Sequence, residues 1–398
     1  MNNSILKYPY QINLYERLKE LIDDGKRSIS LSSAPSLGKS YIIAELIKNS
    51  FVGKKILYVS FYYGNNSYVE DIFTNYRVNF TSWINFTTFK QFQGGVSSYY
   101  KDYDVLIVDQ AERLLSDVCG PIIQELGDEY VENGKIFLGI TSYPFRHIAR
   151  LKDDVDCRLF FEEHVDGFGL LESMREGIFR KVIYRNADPE REEEFHQTTL
   201  PDAEKPHFHK AYTVESTADL LSNIFEEFPE NNHFLVFFKN VTEMEYNLNL
   251  MKEIFPDFTY FSTSSHQYKY KQRKWNGKLE KVKKTSDDLI ELCETFDRCK
   301  GKAFLFSVDQ LIGGIHTQTA DGVLFYRNTN SEYLFSRVLG TILRPNMDKY
   351  PIFIDFFGSG LKFMKLKTIW PREKGLTLLE RNTRERIMYP LLFTAPKL

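Results

Sequence analysis

Three features are scarce or missing in this sequence, and each absence argues against a class of protein. Only four cysteines occur, at positions 119, 157, 293 and 299; they form no C-x-x-C pair and have no histidine at zinc spacing, which argues against a disulfide scaffold or a zinc module. No run of about 18 uncharged apolar residues is present, so we expect no membrane-spanning helix. The N-terminal segment MNNSILKYPYQ lacks the layout of a signal peptide. We therefore expect a cytoplasmic protein with reduced thiols and no contact with a membrane.

A strong excess of either charge is also missing, because the formal net charge is only -3. The imbalance is local: residues 186–232 carry 3 Lys+Arg against 12 Asp+Glu, whereas residues 233–398 carry 26 against 18. A protein without an overall basic surface has to bind nucleic acid through a local basic patch. The sequence therefore restricts a nucleic-acid interface to particular segments.

Short apolar runs rich in β-branched and aromatic residues recur along the 398 residues, separated by stretches with helical spacing. This alternation is typical of parallel sheets whose strands are joined by crossover helices. The predicted strands are 28–31, 55–61, 105–109 and 135–142 in a first set, and 233–238, 258–263, 303–308, 322–327 and 351–357 in a second. The sequence thus predicts an α/β protein with two lobes, each a mostly parallel sheet flanked by helices.

A polar, acidic and proline-containing stretch without sustained periodicity separates the two sets of strands. On this basis we predict a first lobe at residues 1–185, an acidic connector at residues 186–232 and a second lobe at residues 233–398. The length is compatible with two or three domains of about 150 residues each.

The segment SISLSSAPSLGKSYIIAEL combines a strand, a turn and a helix around a G-K-S sequence. Its spacing is that of the phosphate loop G-x-x-x-x-G-K-[ST], in which backbone N–H groups at a helix N-terminus surround the phosphates, the lysine reaches the β and γ oxygens, and the hydroxyl binds Mg²⁺. Serine replaces the first glycine, and Ser36 takes a loop position where glycine is common. A chance G-K-S turn at a helix start is the alternative. The predicted nucleotide-binding residues here are Ser33, Ala34, Pro35, Ser36, Leu37, Gly38, Lys39 and Ser40.

A later strand, VLIVD, runs from apolar residues directly into Asp109. A carboxylate at the end of such a strand is where nucleotide hydrolases hold their magnesium. The next residue is Gln110, where those enzymes usually carry an acid. We therefore expect ATP and Mg²⁺ as cofactors, with Ser40 and Asp109 as the metal ligands.

With these motifs in this order, the chain resembles the superfamily-two helicases of the DEAD/DEAH-box type, in particular their restriction- and repair-type branch, from about Tyr8 to about Gly358. The segment YPYQINLYERL resembles the part of the family that precedes the phosphate loop, which implies that Gln11 reads the adenine. FLGITSYPFR resembles the family's L-G-L-T-A-T-P-x-R, which implies that Thr141 and Ser142 couple the nucleotide to the nucleic acid. The resemblance implies two RecA-like lobes with ATP bound between them.

Two segments of the second lobe extend the resemblance. FLFSVDQLIGGIHTQTADGVLFY resembles T-x-x-x-x-x-G-I-D, with Gly314 aligned in the nucleotide site and His316 where aspartate is usual. RVLGTILRP resembles Q-x-x-G-R-x-x-R-P, with Gly340 and Arg344 aligned and Thr341 where the first arginine is usual. The resemblance implies that Arg344 acts on the transferred phosphate.

The departures from the family pattern bear on catalysis. Gln110 can hydrogen-bond the attacking water but cannot take its proton, and a general base is worth roughly 10²–10⁴ in rate. An arginine finger contributes about 10³–10⁵ in turnover. Of the usual two arginines only Arg344 remains in register, although Arg337 lies one helical turn from Thr341 and could substitute for the missing one. A glutamine at position 110 is compatible with natural divergence and with a residue introduced to retain ATP. The predicted catalytic residues are Lys39, Asp109, Gln110 and Arg344.

The segment HQYKYKQRKWNGKLEKVKK, residues 266–284, holds eight Lys/Arg and one Glu with aromatic residues among them. Basic side chains neutralise phosphates while aromatic faces stack on bases, a combination suited to single strands. A solvated hairpin with solubilising charges is the alternative. In the first lobe, INFTTFKQF resembles the family's segment that contacts the nucleic-acid backbone. The predicted nucleic-acid residues are Thr87, Thr88, Lys269, Lys271, Arg273, Lys274 and Trp275.

Our leading hypothesis from the sequence is an ATP-dependent helicase or translocase acting on single-stranded or duplex nucleic acid, with DNA weakly favoured over RNA. One alternative is a pseudo-helicase that binds ATP and grips nucleic acid with little hydrolysis. Another is a phosphate-loop protein that does not bind nucleic acid. We expect any target specificity to come from protein partners or loops, and the Tyr, Phe and Asn content suggests a phage or a low-GC bacterium as the source.

Overall fold

The chain divides into two units, Met1–Leu170 and Leu171–Leu398. The computed structural model describes residues 4–61, 63–78, 83–148, 153–186, 214, 217–263, 269–273, 279–283, 286–309, 311, 317–329, 331–360 and 391–393.

The first unit contains a six-stranded sheet in which all neighbouring strands are parallel. Four adjacent strands of this sheet are buried over nearly their whole length, at residues 28–32, 55–60, 105–109 and 136–141. Such burial is expected for a parallel sheet that is covered on both faces. In spatial order the strands are β3 (Trp83–Thr88), β2 (Lys55–Ser60), β4 (Val105–Asp109), β5 (Ile136–Thr141), β1 (Ser28–Ser32) and β8 (Glu163–Asp166).

Helices connect the strands of the first unit. They are α1 (Pro9–Asp23), α2 (Lys39–Ser50), α3 (Tyr63–Asn75) and α4 (Cys119–Glu132), followed by α5 (Leu170–Arg175) where the second unit begins. Short 3₁₀ segments lie at Phe89–Gly94, Ser98–Asp102, Ala111–Leu115 and Cys157–Phe160. An antiparallel hairpin joins β6 (Phe145–Ile148) to β7 (Asp153–Asp156).

The first sheet separates two apolar cores. Side chains of successive strand residues point to opposite faces, so Ile56 and Tyr58 of β2 enter the core beside α2, while Leu57 and Val59 enter the core beside α4. Because both faces are covered, the ends of the strands are the positions at which loops carry exposed polar groups. Function in the first unit is therefore expected at a strand end.

The second unit contains a seven-stranded sheet that is also parallel throughout. In spatial order its strands are β11 (Thr259–Thr263), β14 (Ala303–Ser307), β10 (His233–Phe238), β15 (Gly322–Tyr326), β16 (Ile352–Asp355), β9 (Val182–Asn186) and β17 (Leu391–Phe393).

Aromatic side chains dominate the core of this second unit. The rings of Phe234 and Phe304 stack at 5.3 Å between centroids, and Phe225 packs edge-on against both. Helices α6 (Ala218–Glu227), α7 (Val241–Ile254), α8 (Ser286–Asp297) and α9 (Glu332–Gly340) belong to this unit. Aromatic rings bury large apolar areas, so a few of them suffice to hold the sheet to its helices.

Two segments that the sequence assigned to the first lobe and to the connector lie in the second unit. β9, whose first four residues end the predicted first lobe, pairs with β16 and β17. α6, inside the predicted connector, buries Leu221, Ile224 and Phe225 in the core of the second unit. Residues 187–213, the most acidic part of the predicted connector, lie outside the described residues, so the three-part division remains a prediction.

The basic segment forms an antiparallel hairpin of its own, β12 (Lys269–Arg273) with β13 (Leu279–Lys283). Residues 274–278, between these two strands in the sequence, lie outside the described residues.

The predicted fold class is confirmed. Each strand predicted from the sequence is present with its ends displaced by at most a few residues, and both sheets are parallel. In the part of the chain that the structure describes, no helix is long and apolar enough to cross a membrane.

Candidate nucleotide site

The C-terminal ends of β1, β4 and β5 meet at one edge of the first sheet. Ser32 is level with Thr141, and Asp109 is level with Ile140. Because β5 lies between β1 and β4 and neighbouring strands are about 4.8 Å apart, the chain leaves β1 about 10 Å from Asp109. The predicted phosphate loop and Asp109 therefore share the edge at which open parallel sheets bind ligands.

Residues 33–40 lead from β1 into the N-terminus of α2 through two left-handed backbone positions. Gly38 has φ +84°, and a Cβ there would lie 2.2 Å from Nε2 of Gln11, so glycine is required on both conformational and steric grounds. Ser36 has φ +63° although it is not glycine. The loop therefore leads through these two residues into the N-terminus of α2. The backbone N–H groups at a helix N-terminus are suited to binding anions.

The ammonium of Lys39 is held by the loop itself. Its Nζ donates to the carbonyl oxygens of Ser33 at 2.7 Å and Ala34 at 2.8 Å. The loop is anchored in turn, since Ser33 N donates to Thr141 O at 3.2 Å and Ala34 N donates to Phe168 O at 2.8 Å. Oγ of Ser33 is buried and has no hydrogen-bond partner among the described residues. A cation, a spare hydroxyl and a helix N-terminus therefore converge in one loop.

Asp109 is half-buried at the end of β4, and both of its oxygens accept hydrogen bonds. Oδ1 accepts from Gln110 N at 2.9 Å, and Oδ2 accepts from the hydroxyl of Tyr58 at 3.2 Å. Burial, with a contribution from the charge of Asp109, raises the pKa of Tyr58 well above its ordinary value, so Tyr58 remains a donor. Gln110 is buried and has φ +63°, a conformation that non-glycine residues rarely adopt.

Thr141, at the end of β5, joins the phosphate loop to the segment after Asp109. Its carbonyl accepts from Ser33 N, and its hydroxyl donates to Oε2 of Glu112 at 2.7 Å. Both Thr141 and Glu112 are almost completely buried. The next residue, Ser142, is half-buried. Thr141 therefore links the phosphate loop to the segment that carries Glu112 through two hydrogen bonds.

The N-terminal segment meets the loop through Gln11. Oε1 of Gln11 accepts from the backbone N–H groups of Lys7 at 3.1 Å and Tyr8 at 3.3 Å. Nε2 donates to the carbonyl oxygen of Leu37 at 3.0 Å. Gln11 is 5% exposed, so it lies beneath the loop and in contact with it.

Several solved structures share the architecture of this chain. The DEAD-box helicase Mss116 bound to ssRNA and UDP-BeF is similar over 90% of this chain and 71% of its own, with a TM-score of 0.60 and 12% identity. For the Escherichia coli DEAH/RHA helicase HrpB the shares are 89% and 43%, with a TM-score of 0.57 and 12% identity. For the ATP-dependent Type ISP restriction-modification enzyme LlaBIII bound to DNA they are 97% and 29%, with a TM-score of 0.54 and 14% identity. No protein-family model and no curated protein matches the sequence.

The fold is similar to that of these helicases and of the restriction-modification enzyme. The resemblance inferred from the sequence motifs is confirmed at the level of the fold, with two RecA-like sheets. The chain spans less than half of the length of HrpB and of LlaBIII. Sequence identity this low carries the likeness no further than the fold.

In the second unit, the arginine motif begins in the last turn of α9 and continues beyond it. Arg344 donates from Nη1 to the carbonyl of Leu343 at 2.7 Å and from Nη2 to the carbonyl of Thr317, which holds its guanidinium in one orientation. Thr341 is buried, and its hydroxyl donates to Val338 O at 2.6 Å. Arg337 donates to the hydroxyl of Tyr333 at 2.7 Å. Gly314 and His316 lie outside the described residues.

The predicted nucleic-acid residues are unevenly described. Thr87 is buried at the end of β3 with its hydroxyl 3.3 Å from that of Tyr100, whereas Thr88 is only partly buried. Lys274 and Trp275 lie outside the described residues. The remaining three, Lys269, Lys271 and Arg273, are alternate positions of β12.

Two contacts at the site involve residues to which the sequence assigned no role in it. Tyr58 reaches Asp109 from the neighbouring strand, and Glu112 receives the hydroxyl of Thr141. A tyrosine inside the buried run ILYVS is the only local signal for the first, since a buried phenol needs a partner. A glutamate in the first turn after a strand is common near helix starts, so its burial could not be read from the sequence.

The site has a donor set that suits Mg²⁺. Ser40 lies in the first turn of α2 and Asp109 ends β4, and both offer hard oxygen ligands at the same sheet edge. Mg²⁺ bound with a nucleotide typically takes only one or two protein ligands and completes its shell with water and phosphate oxygens. Among the described residues no cluster of three or more His, Cys, Asp or Glu could hold a metal, which such a site does not require.

Proposed function

We propose that this chain is a nucleic-acid-dependent ATPase of the helicase type, which binds ATP with Mg²⁺ on its first unit and couples the nucleotide to a grip on a nucleic-acid strand. The observation that supports it best is the loop Ser33–Ser40, which closes around Lys39 and starts at the same sheet edge as Asp109. The proposal also agrees with the likeness to helicase structures, which extends over about nine-tenths of the chain.

Each residue of the loop has a role in the proposal. Lys39 exchanges the carbonyl oxygens of Ser33 and Ala34 for the β and γ phosphate oxygens, which bear more charge. The N-terminus of α2 stabilises the remaining phosphate charge through its backbone N–H groups and its dipole. Ser40 and Asp109 hold Mg²⁺, which when bound neutralises charge on the phosphates. Gln110 orients the attacking water without taking its proton.

The β12–β13 hairpin supports the nucleic-acid part of the proposal. Its register sets Lys269 opposite Lys283 and Lys271 opposite Lys281. Strand alternation gives positions 269, 271 and 273 the same face of the ribbon as 279, 281 and 283, and five of these six residues are basic. Like charges directly opposite each other destabilise a hairpin. A polyanion on that face would remove the repulsion, so the charge pattern favours a phosphate backbone as the ligand.

A second candidate, an ATP-binding clamp on nucleic acid, is favoured by two observations. Gln110 cannot act as a base, and Thr341 puts a buried, uncharged hydroxyl where an arginine is usual in the family. If Arg344 alone supplies the positive charge, turnover falls because each missing cation weakens the stabilisation of the transition state. A clamp would bind ATP and a strand together and rarely release phosphate.

Phosphate release with and without single-stranded DNA and RNA, on this chain and on Gln110→Glu, tests the proposal. We expect the unaltered chain to bind ATP and turn over slowly, and Gln110→Glu to be faster by roughly 10²–10⁴ and stimulated by a strand. Arg344→Ala added to Gln110→Glu should retain ATP binding and lose turnover. Lys39→Ala added to Gln110→Glu controls for a contaminating ATPase, since it removes the lysine that would bind the phosphates.

The outcomes separate the two candidates. Turnover restored by Gln110→Glu supports the ATPase. If neither protein releases phosphate but ATP still tightens strand binding, the result supports the clamp. Failure of the unaltered chain to bind ATP with Mg²⁺ contradicts both.

The strand grip has its own test. Replacing Lys269, Lys271 and Arg273 by glutamine should weaken single-strand binding and lower the slope of log affinity against log salt by about one for each phosphate that is no longer neutralised. Lys54→Gln with Lys55→Gln is the matched control, because both are exposed lysines of the first unit. Equal affinities for the hairpin variant and the control would favour a phosphate-loop protein without a nucleic-acid partner.

A further inference from the structure

We infer that Gln11 ties the phosphate loop to the N-terminal segment and does not read the nucleobase, so that the site accepts purine and pyrimidine nucleoside triphosphates with similar affinity. The inference rests on the proposed function in one respect: the loop Ser33–Ser40 must bind a nucleotide. It departs from what the family resemblance implies for Gln11, which is recognition of adenine.

The orientation of the Gln11 amide follows from its neighbours. On one side the amide faces two backbone N–H groups, those of Lys7 and Tyr8; on the other it faces the carbonyl of Leu37. Only an oxygen can accept from the N–H groups, and only an NH₂ group can donate to the carbonyl. Exchanging the two ends would set donors against donors and an acceptor against an acceptor.

This arrangement leaves no free acceptor on Gln11. A carbonyl oxygen has two lone pairs, and Oε1 already accepts two hydrogen bonds. A glutamine that reads adenine must accept from its N6 amino group while donating to a ring nitrogen. Gln11 could do so only by releasing an N–H at the start of α1, and the loss of that bond offsets the gain from the base. No net preference for adenine results.

The donor side of Gln11 is occupied by the loop. Nε2 donates to Leu37 O, the residue immediately before Gly38, and it lies where a Cβ on Gly38 would be. The left-handed turn that starts α2 is therefore packed directly on the Gln11 amide. Removing that amide frees the turn on which the phosphates would rest.

A second contact fixes the same N-terminal segment to the same helix. Glu45 of α2 is buried, and its Oε2 accepts from the backbone N–H of Ile5 at 2.8 Å. The segment before α1 is thus joined to α2 near its middle by Glu45 and at its N-terminus by Gln11. Two such hydrogen bonds are consistent with a structural role for the N-terminal segment. A residue that recognises the base needs a polar group that is available for the ligand.

The consequence concerns selectivity. Phosphates are common to all nucleoside triphosphates, and the loop, Lys39 and Ser40 bind only phosphates and metal in the proposal. Because Gln11 acts through the loop, its replacement should lower the affinity for every nucleotide by the same factor. A residue that reads the base would change the ratio between nucleotides instead.

Calorimetric titration of the full chain with ATP, GTP, CTP and UTP in the presence of Mg²⁺ tests the inference. We expect the four affinities to lie within about fivefold of one another, and Gln11→Ala to weaken each by about tenfold without changing their ratios. Gln11→Glu keeps the acceptors for Lys7 and Tyr8 but opposes an oxygen to Leu37 O, so it too should weaken all four. Gln124→Ala is the control, since the Gln124 amide donates to the carbonyl of Leu114 at 2.8 Å and contacts no part of the phosphate loop.

Each outcome decides the matter. A preference of the unaltered chain for ATP of more than about tenfold overturns the broad selectivity, and loss of that preference in Gln11→Ala identifies Gln11 as a base reader. If the affinities are unchanged in Gln11→Ala, the conclusion that the Gln11 amide supports the phosphate loop is wrong. If the unaltered chain binds none of the four nucleotides, the proposed function fails, and the inference fails with it.

Discussion

Ser36 and Gln110 combine a left-handed backbone with a side chain at the candidate site. Both have φ +63°. This region costs an L-residue roughly 1–2 kcal/mol relative to the right-handed one. Such strain persists only where the surrounding structure imposes it, and it concentrates at functional positions. Ser36 lies in the phosphate loop and Gln110 follows Asp109, so both strained residues adjoin the groups that are proposed to bind phosphate and metal.

The strain at Ser36 predicts the effect of two substitutions. Ser36→Gly removes the steric cost of positive φ and should raise the free energy of unfolding of the first unit by up to about 1 kcal/mol. Ser36→Val should lower it by more than about 1 kcal/mol, because a β-branched residue tolerates positive φ least. Urea unfolding measures both. Equal stability of the two variants would contradict a left-handed residue 36.

Tyr58 is predicted to act as a positioning residue for Asp109. Tyr58→Phe removes the hydroxyl that donates to Oδ2, so the carboxylate is less well oriented and the Mg²⁺ concentration needed for half-maximal ATP binding should rise about fivefold. The measurement is ATP affinity as a function of Mg²⁺ concentration, and affinity in the absence of Mg²⁺ should not change.

Tyr130→Phe is the matched control for Tyr58→Phe. Tyr130 is also a buried tyrosine of the first unit, but its hydroxyl donates to the carbonyl of Tyr100. It should therefore affect stability and leave the Mg²⁺ dependence unchanged. An equal shift in the two variants would mean that Tyr58 acts through general stability alone.

At the scale of the element, β5 is packed so closely that its glycine has no room for a side chain. A Cβ on Gly139 would lie 2.1 Å from the ring of Phe161, which itself packs on Phe137 at 4.7 Å between centroids. β5 lies between the phosphate-loop strand β1 and the Asp109 strand β4. Its position sets the spacing of the two halves of the candidate site.

Gly139→Ala is therefore predicted to destabilise the first unit by about 1–3 kcal/mol through overpacking. Gly94→Ala serves as the control, since a Cβ there meets nothing within 4 Å, and its effect should stay within about 0.5 kcal/mol. Thermal or urea unfolding reports the difference. Similar stabilities of the two variants would show that Phe161 can move aside at little cost.

The elements themselves were largely predictable because their signals are local. Buried parallel strands read as continuous apolar runs, and β4, β10 and β14 begin at the residues where those runs begin. β8 was missed, because EHVD carries charges at both ends and only one residue of it, Val165, is fully buried. β3 was not predicted as a strand, since as an edge strand it is mostly half-exposed.

At the scale of the whole molecule, both units bury tyrosines whose ionisation is coupled to unfolding. Tyr58 and Tyr130 lie in the first unit and Tyr326 in the second, and burial raises the pKa of each above its ordinary value. A raised pKa in the folded state means that the unfolded chain loses these protons first, at about pH 10. Stability is therefore intact below that pH and falls as the pH rises further, by up to about 1.4 kcal/mol per pH unit for each tyrosine.

Alkaline titration is expected to confirm this coupling as a single event. Tyrosinate absorbance and far-ultraviolet circular dichroism, followed together from about pH 9 upwards, should show these tyrosines ionising only as the chain unfolds. Tyr326→Phe should lessen the pH dependence of the second unit only. Exposed tyrosines such as Tyr99 and Tyr246 ionise at about pH 10 in the folded chain as well. Only an absorbance rise that accounts for all 24 tyrosines while the dichroism is unchanged would show that the buried ones ionise in the folded state.

The order of the motifs predicted the fold, but the membership of some segments required the tertiary structure. β9 reads equally well as the last strand of the first lobe or as a strand of the second, because a parallel strand carries no local mark of its neighbours. Its partners β16 and β17 begin at residues 352 and 391, far along the chain. Long-range pairing alone assigns β9 to the second sheet.

By itself, the sequence determined two parallel α/β sheets, a phosphate loop that starts a helix, and an aspartate at the end of a later strand. These follow from local periodicity and from spacing within a few residues, which a sequence records directly. Only the tertiary structure decided that Tyr58 bonds Asp109 across 51 residues, that Thr141 bonds Glu112 across 29, and that Gln11 is occupied by the loop across 26. Those bonds depend on which side chains the folded strands bring level, and strand order is set by burial over the whole sheet rather than by any one segment.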